Sequence, residues 1–124
     1  MIRVGIIGAG QAGCAHACSY GDIEDAKVVA IADTNLDRAK NLAEGLGADA
    51  LDDGAKLLQR DDIDVVDICL PTYLHHEFVL KACEAGVDII CQAPMAPNLK
   101  EAREIVEATK KANVSLMIGH TLRF

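Results

Sequence analysis

At 124 residues the chain can bury a sizeable core but is too short for two ordinary domains. A hydrophobic fraction of 51% excludes a disordered class, and a formal net charge of −7 argues against nucleic acid or an anionic membrane as the main partner. Aromatic residues make up 3%, so Val, Ile, Leu and Ala must fill the interior.

The first apolar run, Ile2 to Ile7, reads as a strand, and Gln11 to Tyr20 as the helix after it. A second strand is expected at Val28 to Ala32. Thr34 is placed to cap the next helix, with Asp37 three residues on. Leu36, Ala39, Leu42, Ala43 and Leu46 form its apolar face, and Gly45 and Gly47 end it. A short third strand follows near Ala48 to Leu51, and Asp53 caps a short helix carrying Leu57 and Leu58. The fourth strand, Val65 to Leu70, is nearly all apolar, as a strand covered on both faces should be, and Pro71 stops it. Thr72 to Ala85 reads as a helix with Leu74, Phe78, Ala82 and Ala85 inward, closed by Gly86. Val87 to Cys91 is the fifth strand, and Pro94 and Pro97 bound a loop. Asn98 with Glu101 resembles a capping box opening a helix to Ala112, with Leu99, Ala102, Ile105 and Val106 on one side. Val114 to Ile118 is the sixth strand.

Strict alternation of strand and helix implies an α/β, Rossmann-type doubly wound parallel sheet with helices on both faces. About six strands are expected in the order 3-2-1-4-5-6, with a ligand crevice between strands one and four at their carboxyl ends. The unusual residues gather at such ends, the most informative being Gly8-Ala9-Gly10-Gln11-Ala12-Gly13. There the first glycine permits a tight turn, the second lets a pyrophosphate approach the backbone, and the third lets the helix lie close. Free amides and the helix dipole then face the phosphates. Strand two ends in Asp33, twenty residues after Gly13, where a carboxylate can accept hydrogen bonds from an adenosine ribose. The plainer reading makes this an ordinary strand-to-helix turn, with Asp33 capping the next helix.

The five cysteines lie at Cys14, Cys18, Cys69, Cys83 and Cys91, and no CxxC occurs. Cys14 and Cys18 are one helical turn apart, but reduced core thiols are the expectation and no metal site is read. No stretch could span a bilayer, so a soluble cytoplasmic protein is expected.

Taken together, Gly8 to Gly13, Cys69-Leu70-Pro71-Thr72 with His75 following, Ala82 to Gly86, Cys91 to Pro94 and Gly119 to Phe124 resemble the Gfo/Idh/MocA oxidoreductases. The resemblance covers residues 1–124, but only the cofactor half of such a protein, so the family's second, substrate-binding domain is expected to be missing. It implies that Gly8, Gly10, Gln11 and Ala12 hold the pyrophosphate of NAD and Asp33 its ribose, with Gly13, Gln92 and Pro94 also in the cofactor site. Leu70, Pro71, Thr72 and His75 would border the cofactor. A 2′-phosphate beside Asp33 would be repelled, which favours NAD over NADP, although Arg38 could turn toward such a phosphate.

One motif departs from the family. Where the family carries Glu-Lys-Pro, this sequence reads Gln92-Ala93-Pro94. Ala93 cannot take a hydroxyl proton, and loss of a general acid-base lowers rate by about 10²- to 10⁴-fold. Gln92 keeps only a hydrogen bond to the nicotinamide ribose. Of the histidines, His120 at the end of strand six is the best substitute proton carrier. His76 is expected to face solvent, and His16 to pack with a local hydrogen bond. The expected parent reaction is hydride transfer between nicotinamide and a sugar- or inositol-like alcohol, with this chain alone inactive through engineering or natural loss. The alternative is a non-catalytic scaffold or engineered domain that self-associates, for instance as a homodimer, through apolar surface near Met117, Leu122 and Phe124. An S-adenosylmethionine methyltransferase shares the glycine-rich turn and the acid, but the full GxGxxG, Pro94 and Arg123-Phe124 count against it.

Overall fold

A computed structural model describes residues 1–123. Phe124, part of the closing landmark and of the expected apolar end, lies outside the described residues.

The strands are β1 (Ile2–Ile7), β2 (Ala26–Ala32), β3 (Asp49–Leu51), β4 (Val65–Ile68), β5 (Asp88–Gln92) and β6 (Leu116–Gly119). They form one sheet in the order β3-β2-β1-β4-β5-β6, and every pairing is parallel. The helices are α1 (Gln11–Tyr20), α2 (Leu36–Glu44), α3 (Gly54–Leu58), α4 (His75–Ala85) and α5 (Leu99–Ala112).

Alternation along each strand divides the interior into two layers. Val4 and Ile6 of β1 join Val28 and Ile31 beneath Ala17 of α1 and Ala39 and Ala43 of α2. Ile7, with Val66 and Ile68 of β4, packs instead under Leu57 of α3, Val79 of α4 and Ile105 of α5. Helices therefore cover both faces, as the alternation predicts.

Local chemistry moved several boundaries. Asn35, not Thr34, caps α2: its Oδ1 accepts from the amides of Asp37 at 3.1 Å and Arg38 at 3.3 Å. β4 ends at Ile68, ahead of the expected Leu70. Pro71 (φ −56°, ψ 148°) holds an extended backbone, so the chain enters α4 through a 3-10 turn at Thr72–Leu74. Starting at His75 rotates the buried face of α4 to His75, Val79, Ala82 and Cys83, leaving Ala85 exposed. On α5, Leu99 and Val106 are exposed while Ile105 and Thr109 are buried. Only half of the capping box forms there: Asn98 Oδ1 accepts from the Glu101 amide at 2.9 Å, but Glu101 Oε2 is buried without a partner.

Candidate functional site

The carboxyl end of β1 runs into the glycine turn. Gly8 has φ +106°, a conformation L side chains rarely adopt, and a Cβ on it would stand 2.3 Å from the Cys69 carbonyl oxygen. A Cβ on Gly13 would lie 1.8 Å from the Gly8 carbonyl oxygen, so only glycine lets α1 sit this close. A Cβ on Gly10 would meet nothing within 4 Å. The three glycines thus divide as the spacing predicts: two against backbone, the middle one facing open space.

Two hydrogen bonds tie Asp33 to this turn. Its Oδ2 accepts from the Ala9 amide at 2.8 Å, and its Oδ1 accepts from the Asn35 amide at 2.8 Å. The carboxylate therefore faces the start of α1 and is not the cap of α2. Among the described residues, the amides of Gly10, Gln11 and Ala12 have no protein acceptor. Unpaired donors at a helix start suit an anion.

These amides open on a cleft of about 530 Å³ between β1 and β4. Of the expected site residues, Gly8, Gly10, Gln11, Ala12, Asp33, Leu70, Pro71 and Gln92 border it. Gly13, Thr72, His75 and Pro94 are not among the residues that line it. Sequence reasoning gave no place in the site to Asp53, Gly54 and Phe78, which also line it. Asp53 and Gly54 begin α3, and their only sequence signal was a helix start following strand three. Arg38 is the cationic side chain on the wall, and no lysine or histidine borders the cleft among the described residues.

His75 is a brace. It is 1% exposed, with Nδ1 2.9 Å from the Pro94 carbonyl oxygen and Nε2 2.7 Å from the Leu70 carbonyl oxygen. Ala93 is half-buried in the loop this brace holds. His120 is exposed beyond β6 and does not reach the cleft. His76 does not simply face water: its Nε2 lies 2.8 Å from Glu104 Oε2, joining α4 to α5.

On the opposite face of β4 sits a polar group that the apolar reading of this strand passed over. Asp67 is 1% exposed, and its Oδ2 accepts from the Tyr20 hydroxyl at 3.0 Å and lies 2.8 Å from His16 Nδ1. Burial, then the Asp67 charge, pushes the Tyr20 phenol and the Cys69 thiol upward. Burial also pushes the Cys91 thiol up to about 12. Cys69, Cys83 and Cys91 are buried and free, whereas Cys14 and Cys18 are exposed. No helix of the described residues is long and apolar enough to cross a membrane.

An open parallel sheet with a glycine turn at its switch point, and an acid closing the next strand, defines a dinucleotide-binding α/β domain. Comparison with known proteins makes this specific. The chain belongs to the Gfo/Idh/MocA oxidoreductase family, matching its NAD-binding Rossmann fold over residues 2–120. It is 36% identical to myo-inositol 2-dehydrogenase of Thermotoga maritima over 124 residues, 99% of this chain and 37% of that protein. It is 38% identical to D-glucoside 3-dehydrogenase of Escherichia coli over 125 residues, 99% of this chain and 36% of that one. A 3-ketoreductase from Actinomadura kijaniata, solved with NADP and TDP-benzene, superposes with a TM-score of 0.90 at 30% identity, covering 94% of this chain and 36% of that one. The chain thus spans about a third of the length of the curated relatives it matches.

Proposed function

We propose that the cleft binds NAD(H), with the Gly10, Gln11 and Ala12 amides on the pyrophosphate and Asp33 on the adenosine ribose. One observation carries this reading: unpartnered amides at the start of α1 open on a cleft that Asp33 also borders. Each Asp33 oxygen accepts one recorded backbone bond, leaving lone pairs for ribose hydroxyls. A 2′-phosphate there would meet a carboxylate. Arg38 is the cation that would offset it, so NADP is expected to bind more weakly than NAD. Leu70, Pro71 and Gln92 form the far wall, and His75 holds the Pro94 loop and Leu70 in register with it.

The bound nicotinamide would supply the hydride acceptor. The chain's own residues would bind and orient it, but none lining the cleft would move the alcohol proton: Ala93 stands at the family's lysine position, and His120 does not border the cleft. We therefore assign this chain the cofactor-binding part of a dehydrogenase for polyhydroxylated alcohols such as sugars or inositols, inactive without a substrate domain. Buried free thiols fit a reducing, cytoplasmic compartment.

Titration of the chain with NADH, read by nucleotide fluorescence, is expected to saturate, and no alcohol oxidation is expected. A flat titration to millimolar NADH refutes the binding assignment. Apolar exposure favours self-association as a second property: Met117 is 49% exposed and Leu122 fully so. Light scattering across a concentration series should then report a homodimer, and a monomer throughout removes it.

A further inference from the structure

We propose that His16, Asp67 and Cys69 form a site for a borderline-soft divalent cation, zinc or cobalt, on the α1 side of β4. Period-two alternation puts Asp67 and Cys69 on the same face of the chain leaving β4, and α1 lays His16 over them. The three donor atoms lie within 4.8 Å of one another. Cys69 Sγ is 3.4 Å from His16 Nδ1 and 3.4 Å from Asp67 Oδ1, and His16 Nδ1 is 2.8 Å from Asp67 Oδ2.

These contacts do not share one carboxylate oxygen, since the sulfur meets Oδ1 and the imidazole meets Oδ2. Zinc bonds of about 2.0–2.1 Å to nitrogen and oxygen and about 2.3 Å to sulfur place adjacent donors about 3.3–3.6 Å apart. Both edges to sulfur already have that length. With Oδ1 as the carboxylate ligand, the partly exposed imidazole would turn from its contact with Oδ2 toward Oδ1, the three donors starting within 4.8 Å of one another.

The donor set selects the ion. One imidazole, one carboxylate and one thiolate suit zinc or cobalt, whereas calcium and magnesium require oxygen ligands. Charge points the same way. Asp67 is 1% exposed, and its partners are Tyr20, His16 and Cys69, of which only a protonated His16 could offset its charge. A buried carboxylate needs a compensating positive charge, and a divalent ion on the three donors supplies it. The Tyr20 hydroxyl donates to Asp67 Oδ2 at 3.0 Å and is not a fourth ligand. The fourth position falls on the His16 side, where that side chain is 27% exposed and solvent can both admit the ion and complete its shell. Binding displaces the Cys69 thiol proton to solvent. The ion would pin α1 to β4 directly behind the glycine turn.

The test is titration with Co²⁺ under reducing conditions in a Cys14→Ser/Cys18→Ser background, because those exposed thiols share α1 with His16. The expected result is one Co²⁺ per chain, with tetrahedral visible bands and a thiolate charge-transfer band that one equivalent of Zn²⁺ removes. Cys69→Ser should abolish the charge-transfer band, and His16→Gln should weaken binding at least about tenfold. His16→Gln sits on a helix surface, so it guards against a Cys69 variant that fails to fold; far-UV circular dichroism checks both. Absence of stoichiometric binding, a thiolate band that survives Cys69→Ser in folded protein, or affinity unmoved by His16→Gln each overturns the site.

Discussion

Replacing Gly13 by alanine places a methyl carbon 1.8 Å from the Gly8 carbonyl oxygen and 2.8 Å from its carbon. Both neighbours are backbone, so no side chain can swing aside, and α1 must withdraw by about 1 Å or more to restore contact distance. That withdrawal pulls His16 and Tyr20 from Asp67, to which they bond at 2.8 and 3.0 Å. Overpacking costs about 1–3 kcal/mol where neighbours can yield, and a rigid neighbour puts Gly13→Ala at the upper end, about 3 kcal/mol. With urea slopes of about 1–3 kcal/mol per molar, the unfolding midpoint should fall by about 1 M or more. Gly10→Ala is the control. Its φ of −82° is ordinary and the space in front of it is open, so stability should stay within about 0.5 kcal/mol. The added methyl would occupy the path to the amides, and NADH affinity should drop about tenfold, some 1.4 kcal/mol. Urea unfolding and NADH titration of both variants separate the two effects. A Gly13→Ala midpoint equal to the parent's, or undiminished NADH affinity in Gly10→Ala, refutes the division of labour between the glycines.

Asp33→Asn keeps the shape but removes the charge, so NADH should bind more weakly and the discrimination against NADPH should shrink. Parallel titrations with the two nucleotides measure this, and an unchanged ratio of affinities contradicts it. Asp64 is held down at about 2 by the hydrogen bonds from Arg3, so its stabilisation is complete above the ordinary carboxylate range and lost as pH falls toward 2. The urea midpoint of Asp64→Asn should therefore decline less steeply than the parent's between about pH 4 and pH 2; superimposable curves refute the pairing. Native chain treated with a thiol reagent should release two fast equivalents, from Cys14 and Cys18, with Cys69, Cys83 and Cys91 reacting only after unfolding. Five fast equivalents would show that the core is open.

What the sequence revealed was the chemistry carried by glycines and by strand ends. The tight turn at Gly8, the close helix at Gly13 and the place of Asp33 beside that turn could be expected before any coordinates, because steric demand and charge at those positions leave few alternatives. Helix phase was harder. Leu74-Phe78 and His75-Val79 both recur at helical spacing, and only the tight turn after Pro71 decides between them. Phe78 then serves the cleft wall instead of the core. Thr34 and Asn35 are both competent caps, and the one in register with the Asp37 and Arg38 amides wins. Asp67 was missed because five apolar neighbours outweigh one acid in a periodicity reading, and its partners arrive from α1, far away in sequence.

The double bridge made by the His75 ring has a mechanical consequence. Leu70 forms part of the cleft wall, while Pro94 follows Gln92 and Ala93 out of the neighbouring strand. Because one imidazole joins the carbonyls of both, the ends of β4 and β5 behave as a single plate. A molecule pressing on Leu70 displaces the Gln92–Pro94 segment with it, so the rim answers a guest as one body.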